Sequence, residues 1–544
     1  MSGNWTRVIA VVIGLTGMFT FAGGAHGAAS GNDATLASAS VAYLQARAAD
    51  WGIRRADQEF RLRRVVRDAL GQTHVRLDQV HQGVPVVGRQ LVVHFDRGGS
   101  PRSITGAYLA GITAATRPLV SAQDAQDAAR RQFPGALSNP PAVDLVLYPT
   151  SGGAQLAYRV VLADDATPRR VVAFVDALTG ALVHSYNDLR SLAPAPIWPS
   201  AGGSASSAGA QTSEAAIAGV TGVGNSLYSG TVAIETTKNI LAYTMVDGLR
   251  GGQSTVDMRN GTFFGLTFRD RDNTWGDGTT GDRASAGVDG HFGAEMTWDY
   301  YLNVHERNGI YDDGVGALSR VHYSVNYNNA FWSDTCKCMT YGDGDGSLFS
   351  PLTSLDVAGH EMTHGVTSAT ADLIYDNQSG GLNEAMSDIF GTMVEYYAAA
   401  NGATKTPNYL IGEDVFTPGT PGDALRYMAN PTQDGNSIDN FEDYSDFIDV
   451  HYTSGIANVA FYLLAEGGTH PSTGLPVTGI GRDKAEQIFY LALTGYMISS
   501  ETFAQARADT IQAATDLFGG TSPEVTSVGQ AWDSVCVPTT ACAR

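Results

Sequence analysis

The sequence predicts an α+β protein in two parts: a smaller α+β module, then a larger body in which a β-rich lobe precedes a helical one. Three observations predict it. Residues 192–213 read LAPAPIWPSAGGSASSAGAQTS, a Pro-, Ala-, Gly- and Ser-dominated run with no charge and no period that buries a face, so they link folded units. Ahead of this linker, short alternating segments are interleaved with helical ones. Behind it, residues 220–270 are Gly- and Thr-rich and strand-like, whereas the chain from residue 451 onward carries helical periodicity. A cleft between two such lobes is the natural place for a site.

Composition sets the scale. A chain of 544 residues is too long for one ordinary domain, and 43% apolar against 16% charged residues leaves material for sizeable cores and excludes global disorder. The formal charge of −21 disfavours a nucleic-acid or anionic-membrane partner, because such binding depends on clustered Lys and Arg. Cationic ligands, metal ions among them, suit it better. The excess is uneven: residues 1–210 hold 19 basic and 14 acidic groups, a net +5, and the remainder holds 15 and 41, a net −26. The first part is therefore expected to dock on the acidic cleft side of the second.

In chain order, the first element is a leader. Arg7 precedes an apolar run from Val8 to Phe21 and then small residues through Ala29, the pattern of a secretory signal peptide occupying residues 1–28. A membrane anchor is the alternative, but Gly14, Thr16, Gly17 and Thr20 interrupt a core already short for a span. No later segment has eighteen consecutive apolar residues, so a secreted protein without membrane association is expected. Residues 36–49 and 121–133 read as helices, the second with Ser121 as N-cap. Strands are expected at 74–80, 83–88, 91–95, 156–162 and 171–175, with Gly180 closing a hairpin within 172–183. No reactive cluster of His, Asp or Glu occurs in this part, which reads as a binding or chaperone module. In the second part helices are expected at 451–466, 483–495, 502–517 and 524–535. Four cysteines fit an oxidising compartment and fall into two local pairs, Cys336 with Cys338 and Cys536 with Cys542. Three connectivities are possible. Two small-loop disulfides are expected, with free thiols at Cys336 and Cys338 as the alternative because a C-x-C ring is tight.

Chemistry concentrates at His360-Glu361-Met362-Thr363-His364, an H-E-x-x-H run. On a helix, residues four apart project from one face, so both imidazoles can reach one tetrahedral ion while Glu361 beside them handles water. Incidental histidines on a surface helix are the bland alternative. Against it, a second amphipathic helix begins after His364 and carries Glu384, Asp388 and Glu395 on one stripe. Burying three carboxylates on one stripe is costly unless they serve cations. Glu384 is thus read as a third zinc ligand, Asp388 as a group orienting a ligand imidazole, and Glu395 as serving a neighbouring cation.

At this point the sequence resembles a known family. The runs DVAGHEMTH (356–364) and LIYDNQSGGLNEAMSDIFG (373–391) are similar to the signature of thermolysin-like secreted zinc endopeptidases, the gluzincins. Also similar are YNNAFW (327–332), YGDGDG (341–346), GEDVFTPG (412–419) and VHYTSGI (450–456), so that the resemblance spans residues 215 to 535. QGVPVVG (82–88) resembles the fungalysin/thermolysin propeptide motif, and residues 156–187 resemble a PepSY segment. The resemblance implies a neutral metalloprotease made as a zymogen: propeptide segments at 29–118 and 119–190, a linker with the maturation site at 191–213, a β-rich catalytic lobe at 214–365 and a helical lobe at 366–544. It implies one catalytic zinc on His360, His364 and Glu384, with Asp388 and Asn383 behind the ligands. Glu361 is the general base, Tyr375 and His451 stabilise the oxyanion, and Asp446, five positions before His451, orients it. By the same resemblance, Asn329, Ala330 and Arg426 match the groups that hold the substrate backbone. Phe349, Leu352, Val357, Ile411, Val415 and Leu425 form an apolar wall, implying a bulky hydrophobic residue just after the scissile bond.

Calcium is implied in altered form. Asp356, Glu395, Glu413 and Asp414 match the family's main cluster, but Asn408 and Leu410 stand where some members carry carboxylates, so one ion is expected there. Thr417 and Asp423 resemble a further loop site, and Asp270 with Asp272 a weaker one. The segment TCKCM (335–339) is two residues longer than the simplest family pattern and leaves the far side of the cleft open. Protein and peptide substrates and the chain's own propeptide are the expected partners, with no nucleic acid, and the protein is expected to be a monomer. Two competing readings are a catalytically dead binding or adhesion protein on the same scaffold and a narrow peptidase with specificity set at Cys336 to Cys338. The intact Glu361, Tyr375 and His451 argue against the first.

Overall fold

The computed structural model describes residues 31–133, 135–164, 168–194 and 219–542, so the expected leader and most of the linker lie outside the described residues. The strands of the first part are β1 (Phe60–Arg67), β2 (Thr73–His81), β3 (Val84–Phe95), β4 (Pro101–Ala107), β5 (Ala142–Thr150), β6 (Gly153–Asp164), β7 (Arg169–Asp176) and β8 (Leu182–Asn187). They form one eight-stranded sheet in the order β1-β2-β3-β5-β6-β7-β8, with β4 also on β3. Gln82 and Gly83 take positive φ, 50° and 83°, and this tight turn lets His81 pair with Val84. The two strands expected at 83–88 and 91–95 are therefore one. The later residues of β3 pair with β2 and β4, and its start reaches β5 through Val86 and Leu147, so residues 60–107 and 142–187 share a single sheet. Ser121 caps the helix Ala122–Arg130 by accepting the Asp124 N–H, and the expected first helix is Gly31–Ala46 followed by a single turn.

In the β-rich lobe, strand Leu318–Tyr323 runs parallel to Cys338–Gly342, which pairs antiparallel with Ala330–Ser333. A long helix, Arg283–His305, backs this sheet and was not expected from the sequence. Gly287, Gly290 and Gly293 lower its intrinsic propensity, but the Asp282 carboxylate caps its start and tertiary contact decides the rest. A Cβ on Gly290 would lie 3.0 Å from Val321, and one on Gly293 2.5 Å from Ala358, so the missing side chains are what allow the helix to touch both sheet and site.

The helical lobe follows the sequence expectation with local breaks. Helices Phe503–Phe518 and Pro523–Ser534 fall where expected. The helix expected at 451–466 breaks at Ser454, and that expected at 483–495 ends as a π-helical turn, Ala492–Tyr496. Two helices, Leu355–Ala369 and Asn377–Ala400, meet backbone to backbone. A Cβ on Gly359 would stand 2.9 Å from the Gly391 Cα, and one on Gly391 would stand 2.7 Å from the Asp356 carbonyl oxygen. Both disulfides expected from spacing are formed, Cys336–Cys338 and Cys536–Cys542. Among the described residues, no helix is long and apolar enough to cross a membrane.

The first part docks on the second largely through its cations. Arg76 is buried, and its guanidinium donates to the carbonyls of Thr494 (2.9 Å) and Met497 at the π-helical turn. Arg102 pairs with Asp516, Arg63 with Asp372, and His184 with Asp376 at 2.8 Å. Each contact sets a basic or titratable group of the first part against an acceptor of the second, in line with the charge split. Beyond β8, Arg190 and Ser191 form a short strand, β9, that joins the edge of the other part's sheet antiparallel to Ala330–Ser333. Residues 191–194 are thus docked chain, not free linker.

The close approach at Gly391 tolerates no added methyl without a shift of the helix backbone. Gly391→Ala is expected to cost about 1–3 kcal/mol of stability, measured as a lower thermal-inactivation temperature. An unchanged temperature would mean that the two helices can part freely.

Candidate metal centre and substrate cleft

The helix Leu355–Ala369 carries His360, Glu361 and His364, and Asn377–Ala400 carries Asn383, Glu384 and Asp388. All six are fully buried. His360 Nδ1 lies 2.9 Å from Asp388 Oδ1, and His364 Nδ1 lies 2.9 Å from Asn383 Oδ1. Those acceptors place the ring protons on Nδ1, which leaves an unshared pair on each Nε2. The two Nε2 atoms face each other at 3.0 Å, and the Glu384 oxygens lie 3.5 Å and 3.4 Å from them. No proton is available for the first contact, so the three donors converge on the position of a cation. Tetrahedral zinc with bonds of about 2.0–2.1 Å requires ligand–ligand edges of about 3.3 Å, close to the three distances seen. Asn383 and Asp388 thus stand behind the two imidazoles, on the side away from this convergence.

Buried charge is managed from behind. Arg426 donates to Asp388 from Nε at 2.8 Å and from Nη2 at 2.6 Å, and Asn458 donates to Asp388 Oδ2 at 2.8 Å. Burial works against the Asp388 anion, but Arg426 and His360 outweigh it and hold this carboxyl below the usual range. Glu361 is different. Neither of its oxygens finds a hydrogen-bond partner within the chain, and burial, then the Glu384 charge, push its carboxyl well above the usual range.

The docked strand β9 and the residues after it run through this site. His451 Nε2 lies 2.7 Å from the Ser191 carbonyl oxygen and 3.2 Å from the Tyr375 hydroxyl, which itself donates to Glu384. The Leu192 N–H donates to the Ala330 carbonyl at 3.1 Å and sits close enough to Glu361 to favour its anion. Arg426 Nη1 donates to the Leu192 carbonyl at 2.6 Å. The Asn329 side chain accepts the Ala193 N–H at 3.1 Å and donates to its carbonyl at 2.9 Å. Leu192 is wholly buried in the apolar cluster that also contains Phe349, Leu352, Val357, Ile411 and Val415, with Leu425 packed against it. Every residue expected to handle a substrate backbone therefore handles this segment.

One expectation is corrected. Asp446 does not orient His451: it is bonded to the Tyr444 hydroxyl at 2.8 Å. Asp449 does so instead, accepting the His451 N–H at 3.0 Å as N-cap of the turn Val450–Thr453 and pairing with Nδ1 at 2.5 Å. An Asp two residues ahead of His at a helix start was the signal in the sequence. Burial opposes the His451 cation, but Glu384 and Asp449 together raise its pKa. The acidic cluster is also assembled. Glu395, Glu413 and Asp414 do converge, but the cation among them is the Lys405 ammonium, 2.5, 2.9 and 2.5 Å away. Lys405 lies ten residues beyond Glu395 and eight before Glu413, a spacing that does not mark it as their partner. Asp356 is bound by the Ser354 hydroxyl and the Gly412 N–H, both at 2.6 Å. Thr417 and Asp423 meet at 2.7 Å, while Asp270 accepts the N–H groups of Asp272 and Asn273 in a local turn.

Comparison with known proteins agrees with this geometry. Residues 221–368 match the thermolysin metallopeptidase catalytic domain, residues 371–537 its alpha-helical domain, and residues 58–108 the fungalysin/thermolysin propeptide motif. The transglutaminase-activating metalloprotease of Streptomyces mobaraensis is 43% identical over 502 residues, covering 89% of this chain and 61% of that protein. The thermostable neutral protease NprT of Geobacillus stearothermophilus is 40% identical over 491 residues, covering 86% of this chain and 84% of its own. Bacillolysin of Bacillus cereus is 38% identical, covering 91% and 88%. Among solved structures, the precursor of protealysin from Serratia proteamaculans aligns at 31% identity over 52% of this chain and 87% of its own, with a TM-score of 0.43.

Two measurements separate the corrected roles from the expected ones. Asp449→Asn is expected to lower kcat/KM for peptide hydrolysis about ten- to hundredfold, whereas Asp446→Asn changes it less than about twofold. Lys405→Met opens the acidic cluster. Calcium at about 100 times its Kd is then expected to add about 2.7 kcal/mol of stability, read as a rise in inactivation temperature larger than that of the wild type.

Proposed function

The chain belongs to the thermolysin metallopeptidase family, and from that premise we propose that it is a secreted zinc endopeptidase held as a zymogen, with its own Ser191–Leu192 bond seated as first substrate. The observation that carries this reading is the placement of that bond. Its carbonyl lies on His451, and its amide lies against Ala330 and Glu361, beside the convergence of His360, His364 and Glu384. These three ligands would hold one zinc. Bound there, zinc supplies Lewis acidity that acidifies water and polarises a carbonyl.

The residues of the chain account for the remaining steps. Glu361, whose oxygens have no hydrogen-bond partner in the chain, takes the proton of the attacking water and passes it to the leaving nitrogen, which in the docked segment is the Leu192 amide. His451, fixed by Asp449, and the Tyr375 hydroxyl donate to the oxygen on which charge develops. Arg426 and Asn329 grip the carbonyls of the next two residues, keeping the bond in register. The buried Leu192 side chain supports a preference for a bulky apolar residue after the cleaved bond. The first part acts as inhibitor and foldase, removed by self-processing, with residues 156–187 as its PepSY-like segment. Structural calcium is assigned to the Thr417 and Asp423 loop, and to the Lys405 cluster only once that lysine withdraws.

Expression of wild type and Glu361→Ala tests this. Wild type is expected to cut itself between Ser191 and Leu192, to digest casein, and to lose both activities to a zinc chelator and regain them with zinc. Glu361→Ala should remain full length and inert, with zinc still bound. Casein hydrolysis that survives the substitution would sink the mechanism.

A further inference from the structure

We propose that the cleft carries a guanidinium-reading subsite, built from Asp334, Ser368 and Asp372, that directs cleavage to peptides with arginine at the second residue before the scissile bond. This rests on the peptidase reading and on the register of the docked segment, in which Ser191 and Leu192 flank the bond and Arg190 precedes them.

Arg190 pairs across the sheet with Trp332, and only 8% of it is exposed. Its Nη1 donates to Asp334 Oδ2 at 2.7 Å and to the Ser368 hydroxyl, and its Nη2 lies 3.8 Å from Asp372 Oδ1. All three acceptors belong to the enzyme body, not to the segment that is removed. Two of them, Asp334 and Ser368, are also oriented independently of Arg190. The Trp332 indole N–H donates to Asp334 Oδ1 at 2.7 Å, which turns the other oxygen toward the guanidinium. The Ser368 hydroxyl is anchored on the His364 carbonyl at 2.9 Å, directly behind the metal ligands. The Cys336–Cys338 disulfide closes the turn that follows Asp334 and restricts where that carboxylate can move.

A clamp serving only the precursor would need no such arrangement on the enzyme side. Asp372 adds a second argument, because in the precursor it also binds Arg63 of the propeptide. Once that segment leaves, Asp372 is free to answer an incoming arginine alone. The cationic, planar, multi-donor guanidinium fits two carboxylates and a hydroxyl better than a lysine ammonium does. The expected substrate class is therefore a peptide with arginine, then a small residue, then a bulky apolar residue after the cut. Both carboxylates are partly exposed, at 35% and 37%, so the preference should weaken as salt rises.

The test uses the matured enzyme and two fluorogenic peptides, one containing Arg-Ser-Leu-Ala and the other the neutral isostere citrulline-Ser-Leu-Ala. Wild type is expected to cut both between Ser and Leu, confirmed by product masses, with kcat/KM at least about tenfold higher for arginine. In Asp334→Asn combined with Asp372→Asn that ratio should fall toward one. A ratio near one in the wild type, a ratio unmoved by the double substitution, or a cut at another bond would each overturn the subsite. The wild-type comparison stands even if the double variant fails to mature. Failure to digest casein as well as both peptides would instead count against the peptidase reading, and the subsite would fall with it.

Discussion

Two imidazole lone pairs meeting at 3.0 Å in the interior are the constraint around which the helical lobe is organised. Such a contact is unfavourable unless a cation is shared, so the fold must hold both rings against their tendency to turn away. It does so from three directions. The helix backbones touch at Gly359 and Gly391, which sets the spacing, while Asp388 and Asn383 fix the ring orientations from behind. Arg426 then neutralises Asp388 with two nitrogens and uses the third to hold the Leu192 carbonyl. One guanidinium therefore couples the metal side of the site to the substrate side.

The same economy runs through the docking of the first part. Its sheet sits on the helical lobe through cations aimed at enzyme acceptors, and its last strand extends the enzyme's own sheet. Strand addition supplies main-chain register, and the alternating side chains supply selectivity, since Leu192 and Arg190 reach different subsites. The +5 and −26 halves of the chain meet at acceptors such as Asp334, Asp372 and Asp376, each paired with a basic or titratable group of the first part.

Much of this was legible in the sequence because local chemistry and tertiary placement agree there. The i, i+4 histidines and the carboxylate stripe on the next helix have spacings that only a shared site explains, and Ser121 announces its helix by residue type. What failed was set by contacts that spacing does not encode. The helix Arg283–His305 depends on glycines that read as breakers until Val321 and Ala358 are seen against them. Asp446 and Asp449 are both plausible partners for His451, and only the capped turn decides between them. Lys405 was invisible as a counter-cation because it precedes the acidic run and folds back into it. The tail of the first part read as linker because Leu192 and Ala193 find their partners only across the cleft.

Where the grip of the first part lies determines what cleavage alone can achieve. If the bond between Ser191 and Leu192 breaks, Arg190 and Ser191 remain attached to a sheet still anchored at Arg76 and Arg102, whose partners lie outside the docked segment. The amino-terminal product then stays in the half of the cleft it already occupies, at high effective concentration, and the new amino terminus at Leu192 is the end that departs. Chemistry and activation are thereby separate events. The first is governed by the register at His451 and Glu361, and the second by loss of the remote anchors, Arg76 above all, whose buried guanidinium loses its carbonyl partners only when the whole sheet lifts away.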